Sequence, residues 1–173
     1  MVKEVIIEDY HPDWEKQFQV EKRKIIETLD AAITIEHIGS TSIKGLGAKP
    51  ILDIAIGVND LEDVSKFIEP LKQIGYEFVY HQEFPERRFF RKGQWGAGTH
   101  HLHFYQFEGD HWNNQILFRN YLRNNPPTMM EYHQLKLELA EKHRFDRVSY
   151  TANKASFIQN ILQKAKKRSE EEC

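Results

Sequence analysis

"HIGSTSIKGLGAKPILDIAIGV", residues 37–58, decides how this chain is read. An apolar residue leads into Gly39-Ser40, a small and basic loop follows, and an apolar run of strand length closes the stretch with one carboxylate, Asp53, inside it. Twelve residues separate Ser40 from Asp53. The run "ILDIAIGV" reads as a central strand buried on both faces. A carboxylate there is costly unless it meets a cation, a metal or several donors. An ion pair to a core lysine would satisfy Asp53. So would a metal, or a place facing a polyphosphate. Gly39 and Ser40 let backbone approach a ligand closely and offer N–H and hydroxyl donors to phosphate. The same pair also makes an ordinary turn.

The flanking sequence supplies the other elements. "VKEVIIEDY" predicts a short strand. His11 and Pro12, followed by Asp13 and Glu15, predict a helix start, and that helix runs to about Leu29. "AITIEHIG" reads as a strand ending at Gly39-Ser40. Asn59 or Asp60 caps a helix from about Leu61 to Ile74, closed by Gly75. "YEFVYHQ", "RRFFRKG" and "THHLHFYQF" read as aromatic-rich strands, with "GQWGAG" as a turn between the last two. After Gly109 the pattern is helical, near Asn114–Asn124, Thr128–Lys142 and Ser149–Lys167, with Pro126-Pro127 as a hard break. Strands first and helices last predict an α+β layout.

The 173 residues suit one domain, residues 1–167, in a sheet portion 1–108 and a helical portion 109–167, with a charged, frayed tail at 168–173. Net charge is −2, which argues against bulk nucleic-acid binding. One cysteine, Cys173, suits a reducing cytoplasm. No run reaches the ~18 apolar residues of a membrane span, and no leader is visible at the N-terminus. Oligomeric state is not encoded in any pattern found.

In "HHLHFY", residues 100–105, His101, His103 and Tyr105 share one strand face and His100, Leu102 and Phe104 the other. Two histidines at i and i+2 can share a metal or a phosphate, and with Asp53 they form a two-His-one-carboxylate set. Hydrogen-bonded histidines in a half-buried sheet are the plainer alternative. A His-x-His phosphoesterase, in which one imidazole attacks or protonates a phosphate ester, is another.

Lysines interrupt two apolar helix stripes. Lys136 sits among Met129, Tyr132, Leu135, Leu139 and Ala140, and Lys154 among Tyr150, Phe157, Ile158, Ile161 and Ala165. An inward lysine is costly unless it snorkels or is paired. Two of them suggest an anion between the helices and the sheet. Arg119 and Arg123 lie off their helix's stripe, on a solvated face or on a ligand. Arg87, Arg88, Arg91 and Lys92 put cations on both faces of their strand, so some must point to the site side, and arginine suits bidentate phosphate contacts. Lys49, at the start of the Asp53 strand, reaches the same region or remains a loop lysine.

The opening stretch, together with "RRFFRKG", "THHLHFY", "LFRNYLRNNP", "EYHQLKLELA" and "DRVSYTANKASFI", resembles the GrpB family, whose fold is that of the nucleotidyltransferase superfamily. The resemblance covers nearly the whole chain. It implies a nucleotidyltransferase-like mixed β-sheet with an N-terminal helix, and C-terminal helices covering a site that takes a nucleotide or phosphorylated small molecule. Gly39, Ser40, Thr41, Lys49, Arg88, Arg91, Arg119, Arg123, Lys136, Tyr150 and Lys154 would then contact the ligand, with Asp53, His101 and His103 as metal-binding and catalytic groups. The chain departs from the superfamily pattern at its second acidic position, which is Ala55. One aspartate and two histidines suit Mn²⁺, Zn²⁺ or Fe²⁺ better than Mg²⁺, so the set leaves room for a divalent cofactor, Mn²⁺ or Zn²⁺ favoured over Mg²⁺, and puts standard nucleotidyl transfer in doubt. A non-catalytic module that binds a nucleotide or another anion is the competing expectation.

Overall fold

In a computed structural model, which describes residues 3–173, the strand that carries Asp53 is β2 (Leu52–Val58). Its side chains alternate. Leu52, Ile54, Ile56 and Val58 point to one face, and Asp53, Ala55 and Gly57 to the other. The first face packs into the main core. There Ile54 and Ile56 meet Leu102 and Phe104 of β5 (Ala97–Gln106) and Phe90 of β4 (Arg88–Gln94). Helix α1 (Asp13–Leu29) closes this face with Phe18, Ile25 and Leu29.

The sheet has five strands in the order β1-β2-β5-β4-β3, with β1 at Thr34–Ile38 and β3 at Tyr76–Val79. β2 and β5 are parallel and the other neighbours antiparallel, so the sheet is mixed and the fold is α+β. β5, not β2, holds the middle place.

Three helices follow: α3 (Asp110–Asn124), α4 (Pro126–Lys142) and α5 (Arg147–Glu171). They form a second core in which Leu122, Met129, Tyr132 and Ile161 surround Ile43 and Leu46 of the loop after β1. That loop is therefore wedged between sheet and helices. Gly47 permits the approach of α4, because a β-carbon there would lie 2.6 Å from Cε1 of His133.

Four expectations are corrected. The predicted N-terminal strand "VKEVIIEDY" begins outside the described residues. Its described part stays out of the sheet, bridging Glu8 to Ala48 and donating the Val5 N–H to the Arg144 carbonyl. The helix predicted over 61–74 is a 3-10 segment, Leu61–Phe67, followed by a short α2, Ile68–Gln73. Asp60 does cap it, accepting from the Glu62 N–H. α3, α4 and α5 each start two to four residues earlier than expected, α4 with Pro126 and Pro127 in its first turn, where proline needs no N–H partner. The charged tail continues α5 to Glu171.

Candidate functional site

Strand register builds the site. Asp53 stands beside His101, and Ala55 beside His103, across the parallel β2–β5 pair. On the other side of β5, Phe89 and Arg91 of β4 stand beside His103 and His101. His103 Nε2 lies 2.9 Å from Asp53 Oδ1, and His101 Nδ1 lies 3.5 Å from the same oxygen. Burial alone would raise the Asp53 carboxyl. Hydrogen bonds from both histidines, with the attraction of either ring when protonated, outweigh it and hold the group below the usual carboxylate range. Burial pushes the His103 imidazole down, against the opposing pull of Asp53. Its Nδ1 meets the Arg87 guanidinium at 3.4 Å. Arginine can only donate, so Nδ1 accepts, and Nε2 carries the proton given to Asp53.

Gly39 accounts for the spacing between the Gly-Ser pair and Asp53. Its φ is +70° and ψ −174°, a conformation close to glycine-only, and a β-carbon on it would lie 2.8 Å from Asp53 Oδ2. The loop length thus returns the chain so that Gly39 backbone and Asp53 carboxylate touch. After Gly39 comes a 3-10 turn, Ser40–Ser42. Thr41 lines the site, but its hydroxyl is held by His37 Nε2 at 2.9 Å.

Opposite this floor stand three lysines. Lys136 is 2% exposed, and its ammonium donates to Ser40 Oγ at 2.8 Å and to the Gly47 carbonyl. Burial, with Lys154 and Lys49 nearby, pushes Lys136 down to about 7. Burial and Lys49 push Lys154 down to about 8. Burial and Arg147 lower Lys49 as well. Tyr150 packs its ring under Lys49 and Lys154, 5.4 and 4.5 Å from centroid to ammonium. Ser40, Asp53, His101 and the lysines enclose a cavity of about 130 Å³. None of the three lysines forms an ion pair with a carboxylate among the described residues.

The arginines expected at the ligand divide differently. Arg88 projects from the other face, bonded to Glu62 at 3.1 Å and to the Pro85 carbonyl. The residues facing His101 and His103 are odd-numbered, so Arg87 and Arg91 take that side, and parity along the strand would have selected Arg87 over Arg88. Arg91 faces a neighbouring cleft, bonded to the Gln94 carbonyl at 2.6 Å and lying 3.5 Å from Glu77. Arg119 is held by Glu36 at 2.6 Å and the His37 carbonyl at 3.0 Å. Arg123 grips the Ser42 carbonyl through Nε and Nη2, at 3.0 and 2.8 Å. Arg123 braces the Gly39–Ser42 turn, Arg119 the end of β1 that leads into it, and neither lines the cavity. Tyr132, one turn before Lys136 and part of the apolar stripe, also faces the site: its ring lies 5.1 Å from the Lys136 ammonium.

A family model described as "GrpB protein" matches residues 4–164. The chain belongs to the GrpB family. It is 41% identical over 165 residues to the glutamate-rich protein GrpB of Alkalihalophilus pseudofirmus, covering 92% of this chain and 94% of that one. The crystal structure of the conserved protein GrpB from Enterococcus faecalis superposes with a TM-score of 0.87 at 37% identity, over 95% of this chain and 99% of that one. The Cid1 poly(U) polymerase with Mg 3'-dATP bound matches with a TM-score of 0.54 at 12% identity, over 78% of this chain and 43% of that one. At that distance the likeness is one of fold, and the fold is nucleotidyltransferase-like.

Carboxylate-held Mg²⁺ pairs do not fit this GrpB-family site. Ala55 is fully buried against Ile38, Tyr105 and Trp112, where a second carboxylate would be needed. A single borderline ion fits better. Asp53, His101 and His103 each offer a ligand atom, all within 4.8 Å of one another. Binding it through His103 Nε2 requires the proton to move to Nδ1, where Arg87 stands.

Proposed function

We propose that this GrpB-family protein binds a nucleotide or other phosphorylated small molecule, with the phosphate held between Ser40 and the lysines 49, 136 and 154. The observation that supports this reading most is the set of three half-buried or buried ammonium groups that form no ion pair with a carboxylate among the described residues. Gathering cations out of water costs free energy unless an anion offsets it. Burial first and the neighbouring cations second lower these lysines, and a bound phosphate would offset both.

A single divalent ion on Asp53, His101 and His103 belongs to the same reading, with Mn²⁺ or Zn²⁺ favoured over Mg²⁺. Such an ion supplies Lewis-acid polarisation of a phosphoryl oxygen. The rest falls to this chain's own groups: Ser40 and the lysines orient the phosphate, Gly39 leaves room beside Asp53, and Tyr150 shields the lysines from water. Ala55 favours ligand binding over two-metal nucleotidyl transfer.

The test is thermal unfolding with inorganic pyrophosphate and nucleotides, with elemental analysis of the purified protein. A ligand at 100 times its Kd adds about 2.7 kcal/mol of apparent stability. Absence of any stabilisation by pyrophosphate or nucleotide would overturn the reading.

A further inference from the structure

A second and larger cleft adjoins the lysine cavity. It measures about 510 Å³ and shares Lys49, Ile51 and His101 with it. Its wall is of a different kind. Phe89, His81 and Trp95 contribute aromatic surface, and Arg91 and Arg147 contribute cations beside Lys49. Trp95 is 72% exposed, although the chain's other tryptophans, Trp14 and Trp112, are each 5% exposed.

The fold holds this indole in place. Trp95 sits with Gly96 in the tight link between β4 and β5. Gly93 and Gly96 have φ of +105° and +75°, and a β-carbon on Gly93 would lie 2.9 Å from the Ala97 carbonyl. The register shifts at Lys92/Gly93, which turns the link. Arg91 then bonds the Gln94 carbonyl and lays its guanidinium 4.3 Å from the Trp95 ring centroid. An exposed indole on a pinned turn, backed by arginine, is a surface on which a flat ring can stack.

We propose that this cleft takes the base of the ligand, which is therefore a nucleoside phosphate whose ring stacks at Trp95 while its phosphate reaches the lysine cavity past Lys49 and His101. The inference rests on the phosphate reading above and deepens it. Size supports the assignment. The alternative cavity, beyond Asp53 towards Gln115 and Phe118, is about 230 Å³ and carries no exposed aromatic ring.

Of the three tryptophans only Trp95 is exposed, so the part of a fluorescence response that Trp95→Ala removes reports on this turn. Titration with ATP, UTP, ribose 5-phosphate and inorganic pyrophosphate is compared in the wild type, Trp95→Ala and Gln115→Ala, with unfolding midpoints as a control for folding. ATP or UTP is expected to quench the wild type and to bind at least tenfold tighter than ribose 5-phosphate. Trp95→Ala is expected to lose that tenfold by calorimetry and to bind pyrophosphate within twofold of wild type. Pyrophosphate binding without any advantage for ATP or UTP, or an undiminished advantage in Trp95→Ala, would overturn this inference alone. Loss of the nucleotide advantage in Gln115→Ala and not in Trp95→Ala would move the base to the other cavity and also overturn it. Failure of pyrophosphate and nucleotides alike to bind would sink the phosphate reading with it.

Discussion

Gly39 and Asp53 are in contact across the floor of the site: there is no room for a β-carbon between the Gly39 backbone and Asp53 Oδ2. Two penalties therefore meet in Gly39→Ala. A side chain is forced into a backbone conformation that costs about 1–3 kcal/mol, and the Asp53 carboxylate must shift. Chemical denaturation should show a loss of about 2–4 kcal/mol, and the response to divalent ions should vanish with it. An Ala variant of wild-type stability would mean the turn relaxes without the carboxylate.

Arg123 is expected to behave as a brace. Its two donors hold the Ser42 carbonyl at the end of the turn that carries Ser40. Removing them in Arg123→Ala leaves that carbonyl without these donors and should cost about 1–3 kcal/mol in urea unfolding. Pyrophosphate should still stabilise the variant as it does the wild type, within experimental error. A variant of unchanged stability that loses only the pyrophosphate response would place Arg123 on the ligand.

The contrast between Arg123 and Asp53 marks how far the sequence can be read. Asp53, His101 and His103 were legible because strand parity is fixed by the pleat, whatever surrounds the strand. The mixed sheet, the covering helices and the inward Lys136 and Lys154 were legible on the same basis, from periodicity and from the family motifs. Arg119 and Arg123 were not, because a cation off the apolar stripe meets solvent, ligand or a carbonyl according to how a distant loop docks. Residues 3–10 carry β-branched side chains but, among the described residues, make only the Glu8–Ala48 bridge, and strand propensity depends on such context. The 3-10 segment at Leu61–Phe67 shares its apolar residues with a helical reading, so periodicity alone does not separate the two.

The metal prediction turns on the Arg87–His103 contact. Metal-bound histidines nearly always donate their second N–H to an acceptor, and arginine cannot accept. Calorimetric titration should give Mn²⁺ or Zn²⁺ binding tighter than Mg²⁺ by at least tenfold, abolished in Asp53→Asn. Arg87→Gln supplies an amide oxygen near Nδ1 and should strengthen binding severalfold. Equal Mg²⁺ binding in the wild type and Asp53→Asn would show that no ion sits on these three residues.

The lysines make the pH dependence of the protein a test of the phosphate site. Lys136 sits near 7 when folded and near its ordinary 10.5 when unfolded, with Lys154, Lys49 and Asp53 as the charges around it. The sign follows from proton counting. Below pH 7 both states are protonated, and the folded state bears the full cost of a buried cation. Between about 7 and 10 the unfolded chain holds the extra proton, so stability rises with pH, by up to about 1.4 kcal/mol per pH unit for one proton. Lys136→Met should flatten this rise. Lys154→Met should leave the free protein within about 1 kcal/mol of wild type at pH 7, because an unpaired inward cation is removed and no carboxylate is stranded. Phosphate reverses the slope. A bound anion favours the protonated lysines, so binding takes up protons, and affinity for pyrophosphate should fall as pH rises from 7 to 9. Calorimetry in buffers of different ionisation enthalpy reads the proton uptake directly. Stability that is flat from pH 7 to 9, with pyrophosphate binding that ignores pH and survives both substitutions, would assign the lysines to the fold and not to a ligand.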